Sequence, residues 1–541
     1  MFAASFQRLI LCLPAATALA AAPRAGGGEP GGPLAIGSRR ELFVDGYLID
    51  RLSGKAELRL HHPQPRELVL VHDAPWEGSG SGYHSVFQDG PLYRMYYKAW
   101  HLDVTGKRLH SALHPLYCCY AESDDGIHWR KPDLGLFAFQ GSKKNNIVIA
   151  SGKLGPLNVD AGHPSVFKDE NPAAPADARY KAFVRSSKPL GLLPLKSADG
   201  LHWSAMSDGP VITEGAFDSQ NLAFWDPIRR EYRAYWRVFT AGITNEKTWK
   251  PGGYRAIRTA TSKDFLHWGE PADLSYADSP QEHLYTNQVK PYYRAPHLLL
   301  GFPTRYIERG WTESMKALPE LEHRRLRAAA SQRYGTALTE GLLMASRDGV
   351  RFKRWNEAFL RPGIEREGTW NYGQQYIAWH LVETKSSLEG APPEISLYAG
   401  ESYWTGSSSA LRRYTLRLDG FVSASAPMSG GELVTKPIIF QGNRLSVNFS
   451  TSAAGSMRVE LEDAQGQPIP GFRLADCDEL FGDAIERVVT WKSSPDVGAL
   501  AGKSVRLRFV LEDADLYALQ FCDGPPYKGE FSFFQGHHEG R

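Results

Sequence analysis

The sequence predicts an all-β fold, a five-bladed β-propeller followed by a C-terminal β-sandwich, and three observations support this prediction. A seven-residue Ser-x-Asp motif that ends in an aromatic residue occurs four times, and a pair of β-rich runs precedes each copy. A fifth pair of runs follows the last copy. The four motifs begin at Ser123, Ser197, Ser262 and Ser346. Repeats of this length, rich in strand formers and turn residues, are typical of propeller blades.

Each pair of β-rich runs has the pattern of a hairpin, with strand-forming residues on both sides of a polar turn. The motif after it needs glycine for a positive φ and aspartate to accept hydrogen bonds from backbone N–H groups. In the third copy Phe265 replaces the glycine. We therefore interpret the motif residues as structural. The five hairpins begin at His84, His163, Asn221, Asn287 and Tyr376.

The chain divides into four predicted segments. Residues 42–49 have a hairpin pattern and are expected to complete the ring, because closure by a terminal strand removes an exposed edge. The helix-like residues 314–330 interrupt the pattern and predict an insertion that forms a lid or a wall. In the last segment apolar and polar residues alternate, as in half-buried antiparallel sheet. The segments are a signal peptide (1–22), a flexible leader (23–40), the propeller (41–426) and the sandwich (427–541).

The N-terminus has the pattern of a secretory signal. Arg8 precedes an apolar run over residues 9–20, and small residues follow it. The run is too short to span a bilayer permanently. We therefore expect an exported protein without a membrane span, either periplasmic or extracellular.

The charge of the chain argues against nucleic acid as a partner. The formal net charge is +2, and no basic stripe stands out. The densest basic stretch, residues 323–327, is interpreted as the solvated face of a helix rather than as a phosphate site.

The cysteines and histidines do not indicate a metal site. Cys118 and Cys119 are adjacent and are expected to be buried thiols, whereas Cys477 and Cys522 could pair in an oxidising compartment. The histidines lack the local spacing of metal ligands. No cofactor is expected, although a structural calcium ion in the central channel stays open as an alternative.

Candidate catalytic residues precede the hairpins, because residues just before the innermost strand of a blade surround the mouth of the channel. Each of these upstream segments carries an acid. Cleavage of a glycosidic bond needs two carboxyl groups, one to give a proton and one to attack or to activate water. Asp218, Glu282 and Asp160 are the predicted catalytic residues, since the first two lie in dense polar segments and Asp160 occupies the position equivalent to Asp218.

The same upstream segments supply candidate substrate-binding residues. Amide and imidazole groups bond sugar hydroxyls, and aromatic rings stack on sugar rings. The predicted substrate-binding residues are Glu77, His84, His163, Gln220, Asn221, Tyr285, Asn287, Gln288, Trp370, Asn371 and Tyr372.

The repeated Ser-x-Asp-Gly-x-His-Trp motif, the aromatic hairpins, the count of five and the trailing sandwich resemble the five-bladed propeller glycoside hydrolases, which include families 32, 43, 62, 68, 117 and 130. The resemblance covers residues 42–421, and it extends to a group of exported planctomycete-type proteins. It implies a carbohydrate substrate bound in a central pocket. Sialidases are less similar, because their motif has one more residue between Asp and Gly.

The chain departs from the catalytic patterns of these families. It lacks the Trp-Met-Asn-Asp-Pro-Asn, Arg-Asp-Pro and Glu-Cys signatures of family 32. It has His84 where family 43 places an aspartate, and Asp218 where family 43 places its acidic glutamate. The catalytic assignments of those families are therefore not carried over.

The leading hypothesis is an exported glycoside hydrolase that cleaves a polysaccharide or oligosaccharide through Asp218, Glu282 and Asp160. A non-catalytic carbohydrate-binding propeller is the alternative, and it would lack a carboxyl pair at reactive separation. A protein-interaction scaffold is the third hypothesis, and it would present a flat apolar face.

Overall fold

The computed structural model describes residues 32–111, 113–154 and 157–524. The predicted signal peptide, the first half of the predicted leader and the last seventeen residues lie outside the described residues. The described chain is almost entirely β-structure.

Five sheets of four or five strands occupy most of the described chain, and we number them sheets 1 to 5. Their strands are antiparallel apart from one parallel pair in sheet 4. Sheet 1 comprises Gly82–Asp89, Leu92–Ala99, Tyr117–Ser123, Trp129–Arg130 and Ile147–Ala150. Sheet 2 comprises Gly152–Leu154, Leu157–Lys168, Tyr180–Ser187, Leu190–Ser197 and Ser204–Ala205. Sheet 3 comprises Leu222–Asp226, Glu231–Thr244, Trp249–Ser262 and Ala272–Asp273.

Sheets 4 and 5 complete this set, and two smaller sheets accompany them. Sheet 4 comprises Ser275–Ala277, Lys290–Tyr292, Ala295–Gly301, Met344–Ser346 and Arg351–Arg354. Sheet 5 comprises Gln64–Val71, Val382–Thr384, Glu394–Glu401 and Ala410–Arg417. The smaller sheets are three-stranded (His283–Leu284, Thr304–Glu308, Ala337–Gly341) and two-stranded (Asp103–Thr105, Arg108–His110).

Hydrogen bonds join the five sheets in a closed circuit, which we call the ring. One segment of each sheet takes part, and we call it the leading segment of that sheet; the five are 82–89, 157–168, 218–226, 285–292 and 376–380. Each leading segment bonds to the next, and the last bonds back to the first. The bonded pairs are Ser85 with Val166, Ser165 with Asn221, Ser219 with Tyr285, Val289 with Trp379, and Trp379 with His84.

The expectation that residues 42–49 complete the ring is wrong. Gln64–Val71 pairs with Ala410–Arg417 and supplies the outer strand of sheet 5. Leu42 pairs instead with Ala518, near the other end of the chain. The physical reason is burial, since Phe43 and Leu48 pack into the core of a ten-stranded sheet that contains the C-terminal strands and that we call the C-terminal sheet.

A ten-stranded sheet contains segments from both ends of the described chain. Its longest strands, Arg444–Asp463 and Ser504–Cys522, pair along most of their length. The N-terminal strands join this sheet, so residues 41–60 belong to it rather than to sheets 1 to 5. Its strands are Leu34–Gly37, Glu41–Leu42, Ile49–Gly54, Glu57–Leu60, Val422–Ala426, Gly431–Thr435, Ile438–Phe440, Arg444–Asp463, Asp483–Val488 and Ser504–Cys522.

The Ser-x-Asp motifs form turns, as the sequence indicates. In the second copy Ser197 Oγ accepts the N–H of Gly200 at 2.8 Å, and Asp199 Oδ1 accepts the N–H of Leu201 and His202 at 2.8 and 2.9 Å. The other copies repeat these bonds. Phe265 takes the glycine position at φ +71°, and its ring stacks on another phenylalanine in the core. None of the motif residues lines the cavity described below.

The predicted insertion contains three short helices, α1 (Glu313–Ala317), α2 (Leu321–Ala330) and α3 (Gln332–Thr336). Thr312 caps α1 by accepting the N–H of Met315. Two 3₁₀ turns occur elsewhere, at Ala176–Ala178 and Gly498–Leu500.

The interpretation of residues 323–327 as a solvated face is wrong for two arginines of α2. Arg324 and Arg327 are fully buried because positions three apart share one face of a helix, and this face packs inward. Arg324 Nε donates to Pro319 O at 2.8 Å, and Arg327 Nη2 donates to Asn371 Oδ1 at 2.6 Å. Burial lowers the pKa of Arg327 to about 9.

The described cysteines are all unpaired thiols. Cys118 and Cys119 are buried, as expected. The suggested disulfide between Cys477 and Cys522 is not formed. Cys477 Sγ instead accepts a hydrogen bond from Val459 N and donates one to Asp478 O.

No helix in the described ranges has the length and apolar character needed to cross a membrane. Within the same ranges, no three His, Cys, Asp or Glu side chains cluster in a way that could hold a metal ion.

Candidate functional site

A cavity of about 310 Å³ lies where the five leading segments begin. This volume is at the lower end of the range of about 300–1,000 Å³ typical of small-molecule sites. The helical insertion and the two-stranded hairpin supply part of its wall, through Arg333, Tyr334 and Leu109. Each leading segment contributes at least one residue, among them Tyr83, His163, Asp218, Tyr285 and Tyr376.

Aromatic rings form much of the cavity wall. The rings of Tyr285 and Tyr376 lie 5.4 Å apart, and those of Tyr334 and Trp404 lie 4.9 Å apart. Such rings present flat apolar faces together with hydroxyl or indole N–H groups, a combination that suits sugar rings. The aromatic wall residues are Tyr83, Tyr285, Tyr334, Tyr372, Tyr376, Tyr403, Trp100 and Trp404.

Antiparallel pairing explains why residues distant in sequence share this edge. The start of a first strand lies beside the end of the second strand that returns to it. Gly82 therefore pairs with Lys98 in sheet 1, and Asp160 pairs with Arg185 in sheet 2. All four residues line the cavity.

Asp160 is an ionised carboxylate held by His163 and Arg185. Its Oδ2 lies 3.0 Å from His163 Nδ1 and 3.1 Å from Arg185 Nη1, and its Oδ1 accepts the N–H of Gly162. Burial by itself would raise the pKa of Asp160, but the charges and hydrogen bonds of His163 and Arg185 lower it below its usual range. Asp160 is therefore suited to stabilise positive charge and unsuited to donate a proton.

Asp218 is the most accessible carboxylate of the cavity, with 42% of its side chain exposed. Its Oδ1 accepts a hydrogen bond from the buried guanidinium of Arg237. That guanidinium also lies 4.9 Å from the ring centroid of Tyr285, which orients it. Oδ2 of Asp218 accepts no hydrogen bond from the residues that the structure describes, so it is available to a ligand.

Glu401 is a third carboxylate of the cavity, and the sequence analysis did not single it out. Only 2% of its side chain is exposed. Its Oε1 accepts hydrogen bonds from Arg366 at 2.5 Å and from Arg412 at 2.8 Å. These two arginines hold it against the wall.

Lys98 projects among aromatic rings at the same edge. Its Nζ lies 4.5 Å from the ring centroid of Tyr83, 4.7 Å from that of Trp100 and 5.6 Å from that of Tyr403. Burial lowers the pKa of Lys98 to about 7, although the carboxylate of Asp160 acts in the opposite direction. The amine is therefore partly deprotonated near neutral pH.

The two histidines of the cavity have different environments. His84 Nε2 lies 3.0 Å from Nε2 of the buried His72, whose Nδ1 lies 3.0 Å from Ser409 Oγ. Burial lowers the pKa of His72 to about 4 and that of His84 well below its usual value, so both rings are neutral. His163 instead forms a hydrogen bond with the Asp160 carboxylate through Nδ1.

Two buried glutamines, Gln220 and Gln288, fill the space between the leading segments behind the cavity. Gln220 Nε2 donates to the carbonyls of Tyr83 at 3.0 Å and Pro164 at 3.2 Å. Gln288 Nε2 donates to Gln220 Oε1 at 2.8 Å and to Ile377 O at 2.9 Å. Both glutamines are buried by these bonds and do not line the cavity. Gln288 borders a second hollow of about 570 Å³ on the other side.

The structure places the predicted catalytic residue Glu282 outside the cavity. Its carboxylate pairs with Arg305 and Arg354, both at 3.0 Å. The next residues, His283–Leu284, enter the three-stranded sheet, and this pairing turns Glu282 towards the two arginines. Glu282 is therefore not part of the site proposed below.

Several predicted substrate-binding residues also lie outside the cavity. Glu77 is buried and pairs with Lys131 at 2.6 Å. Trp370 Nε1 donates to Gly363 O at 2.9 Å. The side chains of Asn221, Asn287 and Asn371 are buried and bond to protein groups, chiefly backbone. The predicted residues that do line the cavity are Asp160, Asp218, His84, His163, Tyr285 and Tyr372.

The residues that sequence reasoning missed share one position. They lie at the end of the second strand of a hairpin or just after it, whereas the prediction considered only residues before the first strand. Antiparallel pairing brings both positions to one edge, so the hairpin pattern itself contained this signal. Residues of this kind are Lys98, Trp100, Arg185, Glu401, Tyr403 and Trp404; Arg333 and Tyr334 came from the insertion and had no comparable signal.

Comparison with known proteins gives structural matches alone. No protein-family model matches this chain, and no curated protein is significantly similar to it. Among solved structures, an N-acetylgalactosamine deacetylase from F. plautii, in complex with blood group B trisaccharide, is 12% identical with a TM-score of 0.40, covering 66% of this chain and 94% of that one.

Two further matches are a glycoside hydrolase and a phosphorylase. A glycoside hydrolase family 43 arabinoxylan arabinofuranohydrolase from Bacillus subtilis is 13% identical with a TM-score of 0.37, covering 83% of this chain and 96% of that one. The β-1,2-mannobiose phosphorylase of Listeria innocua is 12% identical with a TM-score of 0.36, covering 65% and 96%. At TM-scores below 0.5 these matches carry no argument about activity.

Proposed function

We propose that this chain is an exported glycoside hydrolase that cleaves glycosidic bonds of a polysaccharide or oligosaccharide. In this proposal sheets 1 to 5 are the blades of a five-bladed propeller, and the cavity at their common edge is the active site. The observation that carries the proposal is the joining of the Asp160, Asp218 and Glu401 carboxylates with aromatic walls in one enclosed cavity. Carboxylates and stacking rings are what glycosidic cleavage and sugar binding require.

We assign the attacking or water-activating role to Asp218. It is the most accessible of the three acids, and one of its oxygens is available. Arg237 holds the other oxygen and thereby sets the direction of the carboxylate. Such positioning contributes to the rate because it keeps the reacting atoms in an attack geometry.

We assign proton transfer to His163, supported by Asp160. The 3.0 Å contact between Nδ1 and Asp160 Oδ2 orients the imidazole. Nε2 is then the ring nitrogen that can donate to the leaving oxygen. Because Asp160 is ionised, the catalytic pair differs from the acid and carboxylate pair that the sequence analysis proposed.

The experiment is a hydrolysis screen of the protein on a panel of aryl glycosides and polysaccharides, followed by the Asp218→Asn variant on the substrate cleaved fastest. Loss of the attacking or activating carboxylate is expected to lower kcat by about 10²- to 10⁴-fold. The matched control is Asp273→Asn, which removes an acid that is paired with Arg258 at 2.6 Å on the exterior of sheet 3. This control keeps the wild-type rate.

A non-catalytic carbohydrate-binding protein is the second candidate, and one observation favours it. Every carboxylate of the cavity forms an ion pair with an arginine, an arrangement that suits ligand binding better than proton donation. If glycans bind and none is cleaved, the hydrolase proposal is overturned. If Asp218→Asn retains the wild-type rate, the role assigned to Asp218 is overturned.

A further inference from the structure

The charges that line the cavity are unequally compensated. Each of its three carboxylates is neutralised by at least one arginine, and Glu401 by two. Two cations of the wall, Lys98 and Arg333, have no carboxylate partner in the described chain. The compensated pairs are Asp160 with Arg185, Asp218 with Arg237, and Glu401 with Arg366 and Arg412.

Lys98 is almost completely buried, with 3% of its surface exposed, and its amine contacts ring faces alone. A cation over aromatic faces gains an attraction of about 0.5–2 kcal/mol, much less than the cost of removing an ammonium from water. The carboxylate that acts on this amine, Asp160, is already paired with His163 and Arg185, so the charge of Lys98 is incompletely compensated in the absence of a ligand.

Arg333 has a similar deficit. It is presented by α3 of the insertion, and its guanidinium lies 4.5 Å from the ring centroid of Tyr334 and 5.7 Å from that of Tyr372. Its Nη2 donates to the Tyr334 hydroxyl at 3.1 Å, whereas its Nη1 is buried without a hydrogen-bond partner. A buried donor without an acceptor is uncommon and costly in folded proteins.

A third cation, Arg255, adds to the positive potential behind the wall. Arg255 stacks on Tyr285, with 5.0 Å between the guanidinium carbon and the ring centroid, and on Tyr306 at 4.4 Å. It forms no ion pair with a described carboxylate. Tyr285 is thus flanked by two guanidinium groups, those of Arg237 and Arg255.

We propose that the cavity selects a sugar unit that carries an anionic group, a uronic acid carboxylate or a sulfate ester, and that Lys98 and Arg333 are the residues that recognise it. This inference rests on the proposed function for the ligand being a sugar, but not on that sugar being cleaved. Carboxylate and sulfate oxygens are strong acceptors for guanidinium and ammonium donors. The bound anion would supply the acceptor that Arg333 Nη1 lacks and the negative charge that Lys98 lacks.

The groups around Lys98 predict the pH dependence of binding. It faces Tyr83 and the neutral His84 from its own sheet, Asp160 from sheet 2 and Tyr403 from the segment after Glu394–Glu401. An anion binds the protonated amine, so affinity falls as pH rises from 6 to 9, while Arg333 remains charged throughout.

The test is calorimetric titration of the full protein with free monosaccharides, which contain no bond to cleave. Glucuronate, galacturonate and galactose 6-sulfate are compared with glucose and galactose at pH 6 and pH 9. At least one acidic sugar is expected to bind about 10- to 100-fold more tightly than its neutral counterpart at pH 6, the range for losing a hydrogen bond to a charged group. Which acidic sugar binds distinguishes the carboxylate from the sulfate.

Variants assign the effect to residues. Lys98→Met and Arg333→Met each reduce the preference for the acidic sugar by about tenfold or more, and Lys98→Met also abolishes its pH dependence. The matched control is Lys290→Met, which removes a lysine bordering the hollow on the other side of the glutamine pair and leaves affinity unchanged. The unmodified protein is decisive even if a variant fails to fold.

Equal affinity for acidic and neutral sugars, or no binding of any acidic sugar, overturns this inference. Cleavage of neutral glycans together with equal affinity leaves the proposed hydrolase standing and removes its acidic specificity. A preference for acidic sugars without any cleavage overturns the hydrolase and leaves the inference standing.

Discussion

Lys98 shows how one side chain can carry both a stability cost and a function. Its backbone belongs to the buried strand Leu92–Ala99, so the amine must enter the cavity wall. The rings around it exclude water and provide no carboxylate. The low pKa follows from this burial, and it makes the stability of the protein depend on pH.

Lys98→Met is expected to stabilise the protein at pH 6 by a few kcal/mol and to have little effect near pH 10. The lysine pKa is 10.5 in the unfolded chain and about 7 in the folded one. Between these values the unfolded state binds more protons than the folded state. The unfolding free energy of the wild-type protein therefore rises over this window by about 1.4 kcal/mol per pH unit. Below pH 7 the full cost of the buried ammonium is present.

Denaturant unfolding of both proteins at pH 6, 8 and 10 measures this difference. Because the variant lacks only this amine, other titrating groups cancel in the comparison. A stability difference that is constant between pH 6 and pH 10 would contradict the assigned pKa.

At the scale of elements, the closing strand Gln64–Val71 decides how the ring is joined. It precedes sheet 1 in the chain but pairs with the last strand of sheet 5. Most of its residues are exposed or half-buried, and Leu70 is its one buried side chain. Leu70 is 6% exposed and packs with Leu411, whereas Leu68 is 46% exposed.

Leu70→Ala is expected to cost about 2–4 kcal/mol of unfolding free energy, the range for removing a buried leucine side chain. Leu68→Ala makes the same chemical change on the same strand and is expected to stay within about 0.5 kcal/mol. Thermal and urea unfolding of the two variants provide the comparison. Equal losses of unfolding free energy in the two variants would show that the burial of Leu70 does not hold this strand in place.

At the scale of the whole molecule, one buried carboxylate links the ring to the C-terminal sheet. Asp419 is fully buried, and it accepts hydrogen bonds from Arg40 at 2.8 Å, from Arg294 at 3.0 Å and from the Tyr292 hydroxyl at 2.8 Å. Arg40 belongs to the N-terminal segment, and the other two partners belong to sheet 4. Asp419 itself follows the last strand of sheet 5, so three regions meet at its two oxygens.

Asp419→Asn is expected to destabilise the protein by about 3–5 kcal/mol, because it removes the fully buried one of the two carboxylates that Arg40 and Arg294 share and leaves Glu486 as the other. Burial by itself would raise the pKa of Asp419, but the charges of Arg40 and Arg294 lower it. Its contribution is therefore complete above the unfolded carboxyl pKa of about 3.9 and is lost as pH falls through the lower folded value. Calorimetric unfolding at pH 7 and pH 3 measures both effects, and an unchanged midpoint at pH 7 would refute the linking role.

The sequence by itself determined the features that depend on neighbouring residues. Alternating apolar residues and polar turns locate the hairpins, and the Ser-x-Asp motifs specify their turns, because each such turn is closed by bonds within a few residues. The rule that residues before a first strand share one edge brought Asp160, Asp218, Tyr285 and Tyr372 together from distant parts of the chain.

The tertiary structure alone decided which polar residues face the cavity and how the chain ends pair. Glu282 and Asp218 both precede strands, but a short strand pairing turns Glu282 to Arg305, while Asp218 remains at the edge. Likewise Gln220 and Gln288 donate their side-chain hydrogen bonds to backbone carbonyls of other sheets and do not reach the cavity. These outcomes depend on hydrogen bonds and charges contributed by residues far away in the chain, and no local pattern encodes the distance between such groups.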